Sequence, residues 1–99
     1  MAEEVVVIAH FRAKENMEEK ALAAAKKLIG PTRAEDGCIQ YDLHQSSEVP
    51  QNFVFYERWE SKADLDEHLK MSYIEEFMEE SGPLLEEPVR VTLWNKAVE

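Results

Sequence analysis

Val5 to Ala13 reads Val-Val-Val-Ile-Ala-His-Phe-Arg-Ala, a run that is β-branched and apolar on both faces a strand presents. Successive residues of a strand point to opposite sides, so both sides of this one need cover. A chain of 99 residues has little to offer. A domain of that size buries only roughly 60–65% of the surface its unfolded form exposes. Helices of the same chain can shield one side. The other side then predicts association.

The remaining punctuation divides the chain cleanly. Gly30-Pro31, Gly37, Pro50, Gly82-Pro83 and Pro88 separate segments of clear period. Asn16-Met17-Glu18-Glu19 reads as a helix start, with Asn16 as N-cap and Glu19 at the third helical position. The helix that follows aligns Met17, Ala21, Ala24, Ala25 and Leu28 and is expected to end at Gly30-Pro31. Cys38 to Gln45 alternates, with Ile39, Tyr41 and Leu43 on one side and Gln40, Asp42 and His44 on the other. Phe53 to Trp59 is a second aromatic-rich strand, joined to the first by the turn-rich Ser46–Asn52 stretch. Ser61 caps a helix with Asp64 three residues on, and Leu65 and Leu69 form its apolar line. A further helix carries Ile74, Phe77 and Met78 and stops at Gly82-Pro83. Val89 to Lys96 is the last strand.

The order is β-α-β-β-α-α-β, an α+β chain. Two βαβ halves joined by a hairpin predict a ferredoxin-like four-stranded antiparallel sheet with helices on one face. The other face carries Val6, Ile8, Val54, Tyr56 and Trp94, and two such sheets packed together would bury it. One domain over 1–99, with its core at about 5–96, is expected.

Composition narrows the function. Twenty-one acidic against eleven basic residues leave a formal charge of −10, which repels nucleic acid and anionic membrane surfaces. A hydrophobic content of 44% makes disorder unfavourable. No apolar run reaches the ~20 residues of a membrane helix, and the acidic Met1-Ala2-Glu3-Glu4 opening does not read as a signal segment. The single Cys38 fits a reducing cytoplasm. Three dispersed histidines and one cysteine have no metal-ligand spacing, so no metal is expected. Between Glu57 and Glu87 stand eleven acids and three bases, a local net of −8 that disfavours anionic substrates.

Three stretches carry a resemblance: Glu35-Asp36-Gly37-Cys38-Ile39-Gln40-Tyr41-Asp42-Leu43-His44, then Phe53-Val54-Phe55-Tyr56-Glu57-Arg58-Trp59-Glu60-Ser61, then Leu65-Asp66-Glu67-His68-Leu69. Together they resemble the antibiotic biosynthesis monooxygenase domain family, including its small quinol monooxygenase-like members. The resemblance implies a dimeric α+β barrel. It also implies chemistry drawn from cofactor-free oxidation of polycyclic quinols, haem degradation, or isomerisation of phosphorylated sugars. Haem degradation fits poorly, because Glu75 to Ser81 lacks the His that branch uses and the first strand has Ala9 and His10 where that branch has Asn.

Phe53, Phe55, Glu57 and Trp59 share one side of their strand. Glu57 therefore enters an apolar layer, where an unpaired carboxylate is costly. His68 on the next helix is its expected partner, and the resemblance supports both positions. As a satisfied polar pair they would simply fix the helix on the sheet. As a catalytic pair they fit a cofactor-independent oxygenase. His68, with an ordinary pKa of ~6.5, would deprotonate a phenol so that the anion can give an electron to dioxygen. Glu57 would orient the imidazole. Phe55 and Trp59, with Tyr41 and Tyr73, are the expected substrate wall. Tyr73 departs from the family, where a second His often follows His-Leu-x-x-x. His10 and His44 are expected on the far side of the sheet, and Cys38 as a small buried residue, not a nucleophile.

The expected partners are thus a small aromatic or polar carbonyl substrate, dioxygen and a second copy of the chain, with no cofactor. An isomerase of a small carbonyl or phosphorylated sugar-like compound, and a non-enzymatic dimeric binding or stress-related module, are the alternatives on the same scaffold.

Overall fold

The computed structural model describes residues 3–98. Strand β1 (Val5–Arg12) leads into helices α1 (Glu18–Lys26) and α2 (Ile29–Arg33). The hairpin strands β2 (Cys38–Gln45) and β3 (Asn52–Trp59) follow. Helices α3 (Lys62–His68) and α4 (Ser72–Ser81) and a 3-10 turn (Gly82–Leu84) precede β4 (Arg90–Trp94). The strands form one antiparallel sheet in the order β2-β3-β1-β4. This is the ferredoxin-like α+β arrangement expected from the order of periods.

Register explains why one sheet face is the core. Val7 pairs with Glu57, Ala9 with Phe55 and Phe11 with Phe53 across β1 and β3. Partners in a ladder point the same way, so these side chains form one layer. The Phe11 and Phe53 rings stack with centroids 5.0 Å apart, and Phe77 of α4 meets Phe11 edge-on at 5.9 Å. Helix α1 approaches on the small buried residues Ala21, Ala24 and Ala25. The opposite face carries Val6, Ile8, Val54 and Tyr56, all half-buried, and Trp94, 53% exposed.

Four local expectations are corrected. Asn16 is not an N-cap: it sits at φ 70° in a turn, and α1 starts at Glu18 with Met17 in the cap position. Asn tolerates the left-handed region better than most residues, so it serves the turn instead. Gly30-Pro31 does not stop a helix. It lies in the first turn of α2, where the missing Pro31 N–H has no intrahelical partner to lose. Ile39 leaves the alternation with Tyr41, because a bulge between Cys38 and Gln40 inserts one residue and turns Ile39 outward. The last strand is shorter than Val89–Lys96, with pairing confined to Arg90–Trp94.

Ser61 caps α3 as expected, its hydroxyl accepting from the Asp64 amide at 3.2 Å. The same hydroxyl donates to Asp64 Oδ2 at 2.8 Å, which pins that side chain. The pinned side chain explains Gly37, whose absent Cβ would stand 2.3 Å from Asp64 Cγ. Gly37→Ala therefore forces apart the start of β2 and the first turn of α3. Its expected cost is about 1–3 kcal/mol in urea denaturation, as for other overpacked sites.

Candidate functional site

The site lies between the sheet and helices α3 and α4, where three ionisable residues are buried or nearly so. Glu57 is 4% exposed, delivered to the core side of β3 between Val7 of β1 and Tyr41 of β2. Its Oε1 accepts a hydrogen bond from Trp59 Nε1 at 2.9 Å. One neutral donor does not replace water around a carboxylate. Burial accordingly pushes Glu57 up to about 7; the Trp59 hydrogen bond opposes the shift, and the Glu35 charge adds to it.

His68 closes α3 and is 2% exposed. Its Nδ1 stands 2.7 Å from Glu35 Oε2. Glu35 lies in the connection from α2 to β2, and its Oε2 also accepts from the Tyr73 hydroxyl of α4. A carboxylate only accepts, so Nδ1 carries the imidazole proton and Nε2 keeps a lone pair. Nε2 has no hydrogen-bond partner among the described residues. The Trp59 ring packs on the imidazole at 4.5 Å between centroids, and Tyr41 meets it edge-on at 5.7 Å. Burial lowers the pKa of His68, with the Glu35 hydrogen bond opposing, so the ring is neutral around pH 7. Tyr73 moves the other way: burial and the Glu35 contact push its phenol up, which makes it a hydrogen-bond donor and not a base.

The expected Glu57–His68 pair is not the one the fold makes. His68 bonds Glu35, and Glu57 bonds Trp59. The reason is topological: α2 and the bulged start of β2 bring the connecting segment under the end of α3. Sequence reasoning missed Glu35 in this role. It sits in a loop without periodicity, and its only signal was its place beside Gly37 at the head of the resembling stretch.

A cavity of about 30 Å³ adjoins these groups, with both Glu57 and His68 in its wall. Phe55 and Tyr41, stacked at 4.8 Å, stand in its wall. Trp59 and Tyr73 stand behind it, against His68 and Glu35. His10 and His44 lie on the opposite sheet face, since they pair with Val54. Cys38 is half-buried, and burial raises its thiol pKa, the wrong direction for a nucleophile. Among the described residues no group of three His, Cys, Asp or Glu side chains is placed to hold a metal ion.

The family model for antibiotic biosynthesis monooxygenases matches residues 4–80. The chain belongs to that family. The Mycobacterium tuberculosis protein Rv0793, provisionally named a monooxygenase, is 38% identical over 93 residues, covering 94% of this chain and 91% of that one. Its solved structure superposes with a TM-score of 0.90 at 36% identity, over 98% of each chain. PA3566 from Pseudomonas aeruginosa superposes at 0.91 with 28% identity, over 99% of this chain and 98% of that one. The uncharacterized Synechocystis protein sll1783 is 32% identical over 94% of this chain, which spans 63% of that protein's length.

Glu57 and His68 act on stability in opposite directions. Glu57 has a folded pKa above its unfolded value of 4.5, so its contribution is complete below pH 4.5 and is lost as pH rises through about 7. His68 has a lowered folded pKa, so its contribution is present above 6.5 and lost as pH falls. Comparing wild type with Glu57→Gln isolates the first term. Between pH 5 and pH 8 the wild type should lose about 2 kcal/mol relative to the variant in chemical denaturation.

Proposed function

We propose that this chain is a cofactor-independent monooxygenase that oxidises a quinol or polycyclic phenol with dioxygen, with His68 as the base. One observation carries the reading: a buried imidazole is tied through Nδ1 to Glu35, its Nε2 has no partner among the described residues, and the residue stands in the wall of a cavity it shares with Glu57. Nε2 would take the phenol proton, and Glu35 would hold the tautomer and stabilise the imidazolium that forms. Tyr73 would steady Glu35 through its second hydrogen bond. Tyr41 and Phe55 would form the sheet side of the cavity, and Trp59 would fix the imidazole plane. Glu57, which titrates near neutral pH, would be the second proton-transfer group. No step of this scheme asks for a cofactor, because the phenolate itself reduces dioxygen.

A second reading has a specific observation in its favour. A cavity of about 30 Å³ is too small for an aromatic ring, which suits a non-enzymatic binding or stress-related module. The isomerase reading gains less: the cavity wall includes Glu57 and no Lys or Arg, a poor setting for a phosphorylated substrate. Oxygen uptake with a panel of quinols separates these readings. His68→Ala should lower kcat at least 100-fold while the protein stays folded, in line with the roughly 10²–10⁴ that a positioned base contributes. Unchanged uptake in that variant rules out His68 as base. Quinol binding with no oxygen uptake by the wild type favours the binding module.

The homodimer belongs to the same proposal. The outer sheet face holds Val6, Ile8, Val54, Tyr56 and the exposed Trp94, and no helix of the described chain covers it. A second sheet packed on it would complete the barrel. Tyr56→Asp should shift the protein from dimer to monomer in light scattering, because it puts a charge at the middle of that layer. No helix among the described residues is long and apolar enough to cross a membrane.

A further inference from the structure

We infer that the cavity beside His68 and Glu57 is a dioxygen compartment, and that the aromatic substrate docks at its mouth and not inside it. The inference rests on the monooxygenase reading above and deepens it by dividing the two substrates between two places.

Size is the first argument. An apolar cavity that takes a benzene ring measures about 150 Å³, and this one measures about 30 Å³. That matches a diatomic molecule and leaves no room for a six-membered ring. Chemistry is the second. Val7, Ala9, Leu28, Leu65 and Val91 line it with hydrocarbon from two strands, α3 and the α1–α2 connection. A water there would have Glu57 and His68 to bond, the low end of the two to four polar partners it needs, whereas apolar voids accept neutral gases such as xenon. Dioxygen is likewise small, neutral and weakly hydrogen-bonding.

Placement is the third argument. The polar side of the wall is Glu57 and His68, the two groups fitted to move protons. Leu69 and Met78 also border the cavity, yet are 41% and 42% exposed, so they form an apolar lip open to solvent. A flat ring resting on that lip would present its hydroxyl and its reacting carbon towards the gas.

The resulting step balances. His68 takes the phenol proton, and the electron-rich ring carbon adds dioxygen to give a peroxide anion. Glu57, as the carboxylic acid, protonates that anion to the hydroperoxide. Glu57, now a carboxylate, removes the proton from the same ring carbon as the O–O bond breaks. Hydroxide leaves and takes the proton held by His68. One oxygen atom becomes the quinone carbonyl and the other becomes water. The ring gives up four electrons, dioxygen accepts four, and both side chains return to their starting states.

The test combines gas-pressurised crystals with kinetics. Xenon should occupy this cavity in the wild type and be excluded in Ala9→Val and Val91→Ile, which fill it from two different strands. In solution, either variant should raise the KM for dioxygen at least fivefold and leave the quinol KM within twofold. Using both variants guards against one that misfolds. A cavity that takes ordered water instead of xenon overturns the inference. So does an unchanged dioxygen KM in variants whose crystals show the cavity filled. Oxygen uptake that depends on His68 with no gas in the cavity retires the compartment alone. Xenon binding in a protein that consumes no oxygen retires the monooxygenase reading and the dioxygen role with it.

Discussion

The hydrogen bond from His68 Nδ1 to Glu35, 2.7 Å long, is the contact on which the site depends. It connects the end of α3 to the segment ahead of β2, which are far apart in sequence. It also settles which imidazole nitrogen is protonated, and so which one keeps its lone pair. Without Glu35 the ring would be a polar group buried in an aromatic layer with no partner for either nitrogen, a costly state. Tyr73 adds a second donor to the same carboxylate, so helix α4 is tied into the arrangement as well.

Glu57 shows the opposite solution to the same problem. It has the Trp59 indole as its only hydrogen-bond donor among the described residues, and burial raises its pKa towards neutrality. Two carboxyl groups in one thin layer thus have different surroundings: Glu35 receives two donors, Glu57 one. The aromatic packing supports both. Trp59 lies on the imidazole while its indole N–H reaches Glu57, so one side chain positions the two ionisable groups together.

Much of this was legible from the residues in order. The strand periods of Val5–Ala13 and Phe53–Trp59, the Ser61 cap and the apolar line of α4 placed the sheet and helices, and the alternation of β3 put Glu57 inside. His68 was legible as the partner of a buried acid. The acid it bonds in the fold was not. Glu35 lies in an aperiodic loop, and its position follows from α2 continuing through Gly30-Pro31 and from the bulge at Ile39. Both features depend on tertiary contacts that no local pattern reports. Asn16 failed as a cap for a related reason: capping and left-handed turns draw on the same short polar side chains.

Sequence alone determined the α+β class, the pleat that buries Phe53, Phe55, Glu57 and Trp59 together, and the surplus apolar face behind them. Those properties follow from period and composition, which act within a few residues. The tertiary structure decided that His68 faces Glu35 and not Glu57, that Tyr73 serves the carboxylate, and that the space left over is about 30 Å³. Hydrogen bonds and cavities are set at the scale of ångströms between elements distant in the chain. Only the register of the strands and the approach of the helices resolve that scale.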